Sequence, residues 1–381
     1  MASEKEYTNP LRRLEAQGQS VWLDYIRRDL IDSGELARLV SEDGVHGVTS
    51  NPSIFEKAVS GSRDYAGLIV DAARQRKTAK AIYEQLAICD IRDAADVLRA
   101  IHAETAGRDG FVSLEVSPAL ANDTEGTVEE ARRLWRAVGR ENLMIKVPGT
   151  PAGIPAIRRL IGEGINVNVT LLFSRAAYER AAEAYVSGLE ALAARGGNLA
   201  RVASVASFFV SRIDSAIDAE LERKIAGAEE AGRAKIASLC GRAAIANAKL
   251  AYRIYQDLVA GERWRALAAS GAQPQRLLWA STSTKNPNYH DVIYVEELVG
   301  RDTVNTMPPA TLGAFRDHGR VRESLVEDVE TARRLFSELE RSGVSMAAVA
   351  DRLLVEGVKL FADAFDKLIA AVAAEADAVR T

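Results

Sequence analysis

Leu143-Met144-Ile145-Lys146-Val147-Pro148-Gly149 reads as a buried strand with a single charged residue near its end. The aliphatic run is too short for a helix, and Pro148-Gly149 stops it because proline cannot donate to a strand ladder. An amine held at such a strand end is poorly hydrated. Desolvation penalises its ammonium, which favours the neutral, nucleophilic form that Schiff-base chemistry needs. A lone lysine at a strand end can also snorkel into water, so the surrounding sequence has to decide.

Runs of the same kind recur. Short apolar or β-branched stretches at 20–24, 47–49, 111–116, 143–147, 165–171, 201–208, 277–281 and 303–306 alternate with longer Ala/Leu/Glu/Arg-rich segments of helical period. Eight strands, each followed by helix, in 381 residues fit an α/β chain closed into a single (β/α)8 barrel of the TIM type better than an open sheet. Residues 53–109 and 214–272 are too long for one helix each and read as several amphipathic helices. From about residue 320 two further helical patterns, 322–342 and 346–379, break at Ser342-Gly343. No Ser/Pro-rich linker, low-complexity tract or repeat divides the chain. Residues 1–381 are therefore expected to form one barrel domain, with helical additions around 53–109, 214–272 and 320–381.

Apolar residues at 48% and charged residues at 27% are the balance of a soluble globular protein. A net charge of −4 removes any global electrostatic reason to expect nucleic acid or an anionic membrane as partner, so local cations must hold any anionic ligand. Cys89 and Cys240 stand far apart in helical sequence without metal spacing, and are expected to be reduced and buried. Met1-Ala2-Ser3-Glu4-Lys5-Glu6 is charged rather than apolar, and no apolar stretch approaches transmembrane length, which points to a cytoplasmic protein. Gly162-Glu163-Gly164 lacks the third glycine of a dinucleotide loop, and Gly149-Thr150-Pro151 lacks the lysine of a phosphate loop. His46, His102, His290 and His318 are scattered without ligand spacing and read as surface or packing residues. Neither a metal nor an organic cofactor is expected.

In a barrel of this kind chemistry gathers at the C-terminal ends of the strands, and the unusual polar residues fall there repeatedly. Asp24 ends the first strand, Thr49-Ser50-Asn51-Pro52 the second, Glu115 lies inside the third, and Lys146 follows on the fourth. Ser207, Phe209 and Arg212 end the sixth, and 281–285 end the seventh. On the fifth, a two-residue period gives Asn166, Asn168 and Thr170 one face, suited to a polyhydroxylated ligand, although such groups also satisfy loop backbone. Glu115, flanked by strand hydrophobes, needs a partner or a raised pKa.

On four ordered segments the chain resembles the transaldolase family in its longer bacterial and plant-type form, over most of its length. The segments are Gly47-Val48-Thr49-Ser50-Asn51-Pro52-Ser53-Ile54-Phe55, Ile145-Lys146-Val147-Pro148-Gly149-Thr150, residues 164–174 and Ser207-Phe208-Phe209-Val210-Ser211-Arg212. The resemblance implies a (β/α)8 barrel that moves a dihydroxyacetone unit from sedoheptulose 7-phosphate or fructose 6-phosphate to glyceraldehyde 3-phosphate or erythrose 4-phosphate, in the non-oxidative pentose phosphate pathway. It further implies Lys146 as the Schiff-base lysine, Asp24 as the acid–base for the C4 hydroxyl, and Glu115 with Thr170 and a water as the relay for carbinolamine dehydration. Asn51, Asn168 and Ser207 would hold the three-carbon fragment. Arg212 matches the phosphate-binding arginine, while a second such arginine of shorter members corresponds here to Lys285, which brings charge without a fork.

A fructose 6-phosphate aldolase of the same superfamily would use the same lysine and release free dihydroxyacetone. Those proteins are much shorter and tend to carry a tyrosine in the place of Phe209. A non-catalytic sugar-phosphate-binding barrel is the other class, and the retention of Asp24, Glu115, Lys146 and Thr170 together argues against it. Sugar phosphates are the expected partners, and monomer and homodimer both stay open.

Overall fold

The computed structural model describes residues 9–60 and 64–380; the charged N-terminal hexapeptide considered above lies outside them. Eight parallel strands close into a barrel in sequence order. They are β1 (Gln19–Asp24), β2 (Val45–Thr49), β3 (Phe111–Glu115), β4 (Leu143–Pro148), β5 (Val167–Leu172), β6 (Ser204–Phe209), β7 (Arg276–Ala280) and β8 (Thr303–Met307), with β8 pairing back onto β1. All eight expected strands are present, and only their ends move. The largest shift is at β6, where Leu199–Arg201 winds into a 3-10 turn and pairing begins at Ser204.

The expected helical additions resolve into separate helices. Residues 53–109 hold Pro52–Ser60, Ala66–Arg74, Ala79–Val97 and Arg99–Glu104; residues 214–272 hold Ser211–Gly227, Glu230–Ala237, Ala243–Ala260 and Glu262–Ala269. Val329–Arg341 and the 35-residue helix Met346–Arg380 follow β8 and its helix. A connected apolar cluster extends from Leu11 to Ala376 and includes barrel wall and outer helices alike. Among the described residues no helix is long and apolar enough to cross a membrane.

The lower half of the barrel is filled rather than open. Trp22 is fully buried, and its indole lies where a Cβ at position 47 would come within 2.4 Å of it, so β2 needs Gly47 there. The Trp22 Nε1–H donates to Asp109 at 2.8 Å, Ser20 donates to the same carboxylate, and Arg276 closes the group at 3.3 Å. Burial pushes the Asp109 carboxyl up, but Arg276, His46 and the Ser20 hydroxyl hold it well below the usual carboxylate range. A buried charge tolerates this position because it is paired and hydrogen-bonded on several sides. His46 is thus a buried partner of Asp109, at 3.7 Å, and His102 packs edge-on against Phe111. Cys89 and Cys240 are unpaired, but both are half-buried, not buried as the sequence suggested. Cys89, in the helix Ala79–Val97, lies between Arg28 and Asp93, and Cys240 sits in the turn that follows the helix Glu230–Ala237.

Candidate active site

The upper end of the barrel opens into a cavity of about 600 Å³, walled by the C-terminal ends of the strands. Strand register brings its chemistry together. Glu115, Lys146 and Asn168 are consecutive partners across β3, β4 and β5, and Asp24 pairs with Thr49 across β1 and β2. The lysine is 5% exposed, its Nζ donates to the Ser50 carbonyl at 3.1 Å, and Glu115 Oε2 lies 3.8 Å away. The amine thus faces the cavity from an almost dry wall and does not snorkel out.

Both acids beside it are perturbed in one direction. Burial, offset only in part by Lys146 and reinforced by the charge of Asp24, pushes the Glu115 carboxyl up to about 7. Burial also raises Asp24, against the pull of Lys146, a hydrogen bond from Thr49, and the charges of Arg212 and Lys285. A carboxyl poised near neutrality both gives and takes protons at working pH. Asp24 is aimed by a chain of hydroxyls: Thr49 Oγ1 donates to Asp24 at 2.7 Å and, with its proton so committed, accepts from Thr306 Oγ1 at 2.7 Å.

Glu115 Oε2 and Thr170 Oγ1 are both buried without a hydrogen-bond partner from the protein. Unsatisfied buried polar atoms are costly, and Thr170 Oγ1, on the cavity wall, is left free for a polar guest. Thr170 precedes a kink. The β5–β6 register shifts between Val169 and Leu172, and Leu171 adopts a φ of +60°, a left-handed conformation rare for a branched residue. Such strain costs on the order of 1–3 kcal/mol and concentrates at functional sites.

Asp24, Asn51, Lys146, Thr170, Ser207, Phe209, Arg212 and Lys285 all line the cavity. Glu115 stands behind Lys146, and Asn168 lies one layer down, fully buried, donating to Ser113 Oγ and accepting from Ser207 Oγ at 2.7 Å. In this state it sets the Ser207 hydroxyl. Asn166, on the same face by the two-residue period, is spent on backbone: its amide donates to the carbonyls of Glu141 and Leu143 and its oxygen accepts from Ala203 N–H. Asn51 accepts from Ile54 N–H at 3.0 Å, capping the first turn of the helix Pro52–Ser60.

Three cations share the mouth: Arg212 at the start of its helix, Lys285 in the loop after β7, and Lys57 from the helix after β2. Arg212 makes no salt bridge among the described residues; its guanidinium stacks over the Phe209 ring at 5.4 Å, and Phe209 leans on Phe173 at 5.0 Å. Burial and the neighbouring Arg212 charge lower the Lys285 amine, with Asp24 opposing. Like charges crowded this closely favour an anion between them.

Two wall residues were not singled out from the sequence. Lys57 is an ordinary exposed lysine until the fold turns it to the cavity. Phe361 comes from Met346–Arg380, and the Lys146 Nζ lies 5.9 Å from its ring centroid. That helix approaches closely because Gly357 carries no side chain: a Cβ there would meet Leu171 Cδ2 at 2.9 Å.

A family model described as Transaldolase/Fructose-6-phosphate aldolase matches residues 21–372. Curated relatives extend over nearly the whole chain. A protein named Transaldolase from Trichodesmium erythraeum is 48% identical over 365 residues, covering 95% of this chain and 96% of the relative. Transaldolase 2 of Nostoc punctiforme is 50% identical, over 95% and 96% of the two chains. Transaldolase of Thiobacillus denitrificans is 51% identical, over 93% and 97%.

Proposed function

The chain belongs to the transaldolase family and is an enzyme of that type; from that premise we propose that it transfers a dihydroxyacetone unit between sugar phosphates through an imine on Lys146. The observation that carries the reading is the Lys146 amine on a nearly dry cavity wall, with Glu115 at 3.8 Å and Asp24 on the same cavity. The Lys146 amine adds to the C2 carbonyl of fructose 6-phosphate or sedoheptulose 7-phosphate. Glu115, with Thr170 and a water, protonates the carbinolamine oxygen so that it leaves as water. Asp24 then takes the C4 hydroxyl proton, the C3–C4 bond breaks, and its electron pair enters the iminium to give an enamine. The iminium is the electron sink, so no metal has to polarise the carbonyl.

The aldose phosphate departs, an acceptor aldehyde (glyceraldehyde 3-phosphate or erythrose 4-phosphate) takes its place, and the steps run backwards with Asp24 now the acid. Asn51 and Ser207 hold hydroxyls of the fragment, with Asn168 orienting Ser207. Arg212 and Lys285 hold the phosphate. A cytoplasmic enzyme of the non-oxidative pentose phosphate pathway, acting as a single unit of barrel and added helices, follows from the same reading.

Arg212→Ala is expected to weaken binding of phosphorylated sugars by about 2 kcal/mol, the lower end for a partly buried charge pair. Steady-state kinetics with a phosphorylated donor and its unphosphorylated analogue check this. Equal losses on both would remove Arg212 from the phosphate role.

Transfer and release separate at Phe209. The enamine is freed as dihydroxyacetone only if it is protonated and the resulting imine is hydrolysed, and an apolar ring offers neither a proton nor a hydrogen bond to place water. Phe209→Tyr adds one hydroxyl there. It is expected to raise dihydroxyacetone release without acceptor and to lower transfer to erythrose 4-phosphate, both assayed on one preparation. Loss of packing against Phe173 and Arg212 would lower the two rates together. That outcome would reduce Phe209 to a packing residue.

A further inference from the structure

Far apart in sequence, His290, Asp291 and His318 come together on the outer surface, with one potential ligand atom from each lying within 4.8 Å of the others. We propose that these three side chains bind a divalent transition-metal ion of the zinc class, at a site separate from the catalytic cavity. Imidazole with carboxylate is a donor set such ions select, in contrast to the all-oxygen sets of calcium or magnesium. Asp291 Oδ1 is the hub: His318 Nε2 is 3.0 Å from it and His290 Nδ1 is 3.5 Å. Two ligands on a tetrahedral ion at its usual bond lengths stand roughly 3.3 Å apart, so the pairs are already near that spacing. The two imidazole centroids are 5.7 Å apart and the rings are tilted, not stacked.

The outer nitrogens make the stronger case. In metal sites a ligating histidine commonly gives its second nitrogen to a carboxylate, which fixes the ring and raises its basicity. Here both do. His318 Nδ1 faces Asp317 at 3.1 Å, and His290 Nε2 faces Glu296 at 3.6 Å. Glu296 is itself nearly buried and anchored by the Arg320 N–H at 2.8 Å. Each ring is therefore oriented with one nitrogen inward to the shared Asp291 oxygen and one outward to its own acid. A simple surface ion pair has no need for that arrangement twice over.

The ligands come from two elements. His290 and Asp291 lie in the loop after β7, which also bears Lys285, while His318 is the last residue of the helix Pro309–His318 after β8. A bound ion would tie that loop to that helix. Three protein ligands leave a fourth position to solvent. None of the three residues lines the cavity, and the sugar chemistry needs no ion, so the site stands or falls independently of the reaction proposed above.

Calorimetric titration of the EDTA-treated full chain with zinc chloride tests it. One zinc ion is expected to bind with micromolar affinity and to raise the thermal midpoint by a few degrees. His290→Ala and His318→Ala should each weaken that event by at least about thirtyfold, and Glu296→Gln by about ten- to a hundredfold, all with transfer activity unchanged. Asp291→Asn, which keeps the shape of the loop, guards against an alanine variant that folds poorly. No binding by the parent chain, or binding that the two histidine variants leave unaltered, would overturn the site and assign these residues to a surface ion-pair cluster.

Discussion

Lys146→Arg should abolish turnover while leaving the barrel intact. Arginine retains a cation beside Glu115 but remains protonated at any working pH, so it cannot add to a carbonyl and form an imine. The contrast with a merely electrostatic lysine is sharp, since charge is kept and only nucleophilicity is lost. Borohydride with fructose 6-phosphate provides the positive half: reduction of the iminium fixes the sugar fragment to the parent chain as a secondary amine, and peptide mass mapping should place it on Lys146. A label on another lysine, or an arginine variant with measurable transfer, would sink the imine assignment. The lysine is 5% exposed, so a folded variant, shown by circular dichroism, is needed before its inactivity counts.

Asp24→Asn is expected to slow carbon–carbon cleavage by about a hundred- to ten-thousandfold, the usual worth of a positioned acid–base group. An amide oxygen can still accept from Thr49, so the hydroxyl chain from Thr306 keeps its geometry while the ability to take the C4 proton is gone. In the proposed mechanism imine formation rests on Lys146 and Glu115, so it should survive. The expected sign is therefore a slow enzyme in which borohydride traps more Schiff base per active site than in the parent. Full activity would refute the acid–base role, and a variant that neither turns over nor forms a trappable imine would show that Asp24 acts earlier.

Strands were legible because each is a short aliphatic run bounded by turn residues, and a lysine or carboxylate inside such a run stands out. Glu115 and Lys146 were found that way, and the barrel sets them in register. What was not legible depends on contacts between distant segments. The two-residue period grouped Asn166 with Asn168 and Thr170, yet the first is absorbed by backbone groups of the β3–β4 and β5–β6 connections and the last stands at a kink set by Leu171. Phe361 looked like one more apolar position of an Ala-rich helix, since nothing local says which surface that helix will cover. His290 and His318 are 28 positions apart and meet only because two neighbouring connections on the barrel exterior converge.

The helix Met346–Arg380, which carries Phe361 to within 5.9 Å of the Lys146 amine, follows all eight strands in the chain. A ribosome therefore completes the barrel wall, with its lysine and acids, before it has made the element that roofs them. Until that helix is made, the cavity lacks Phe361, the ring of its wall that stands nearest the Lys146 amine from beyond the barrel. A chain cut short before residue 346 would therefore carry every proposed catalytic side chain with one part of the cavity wall missing.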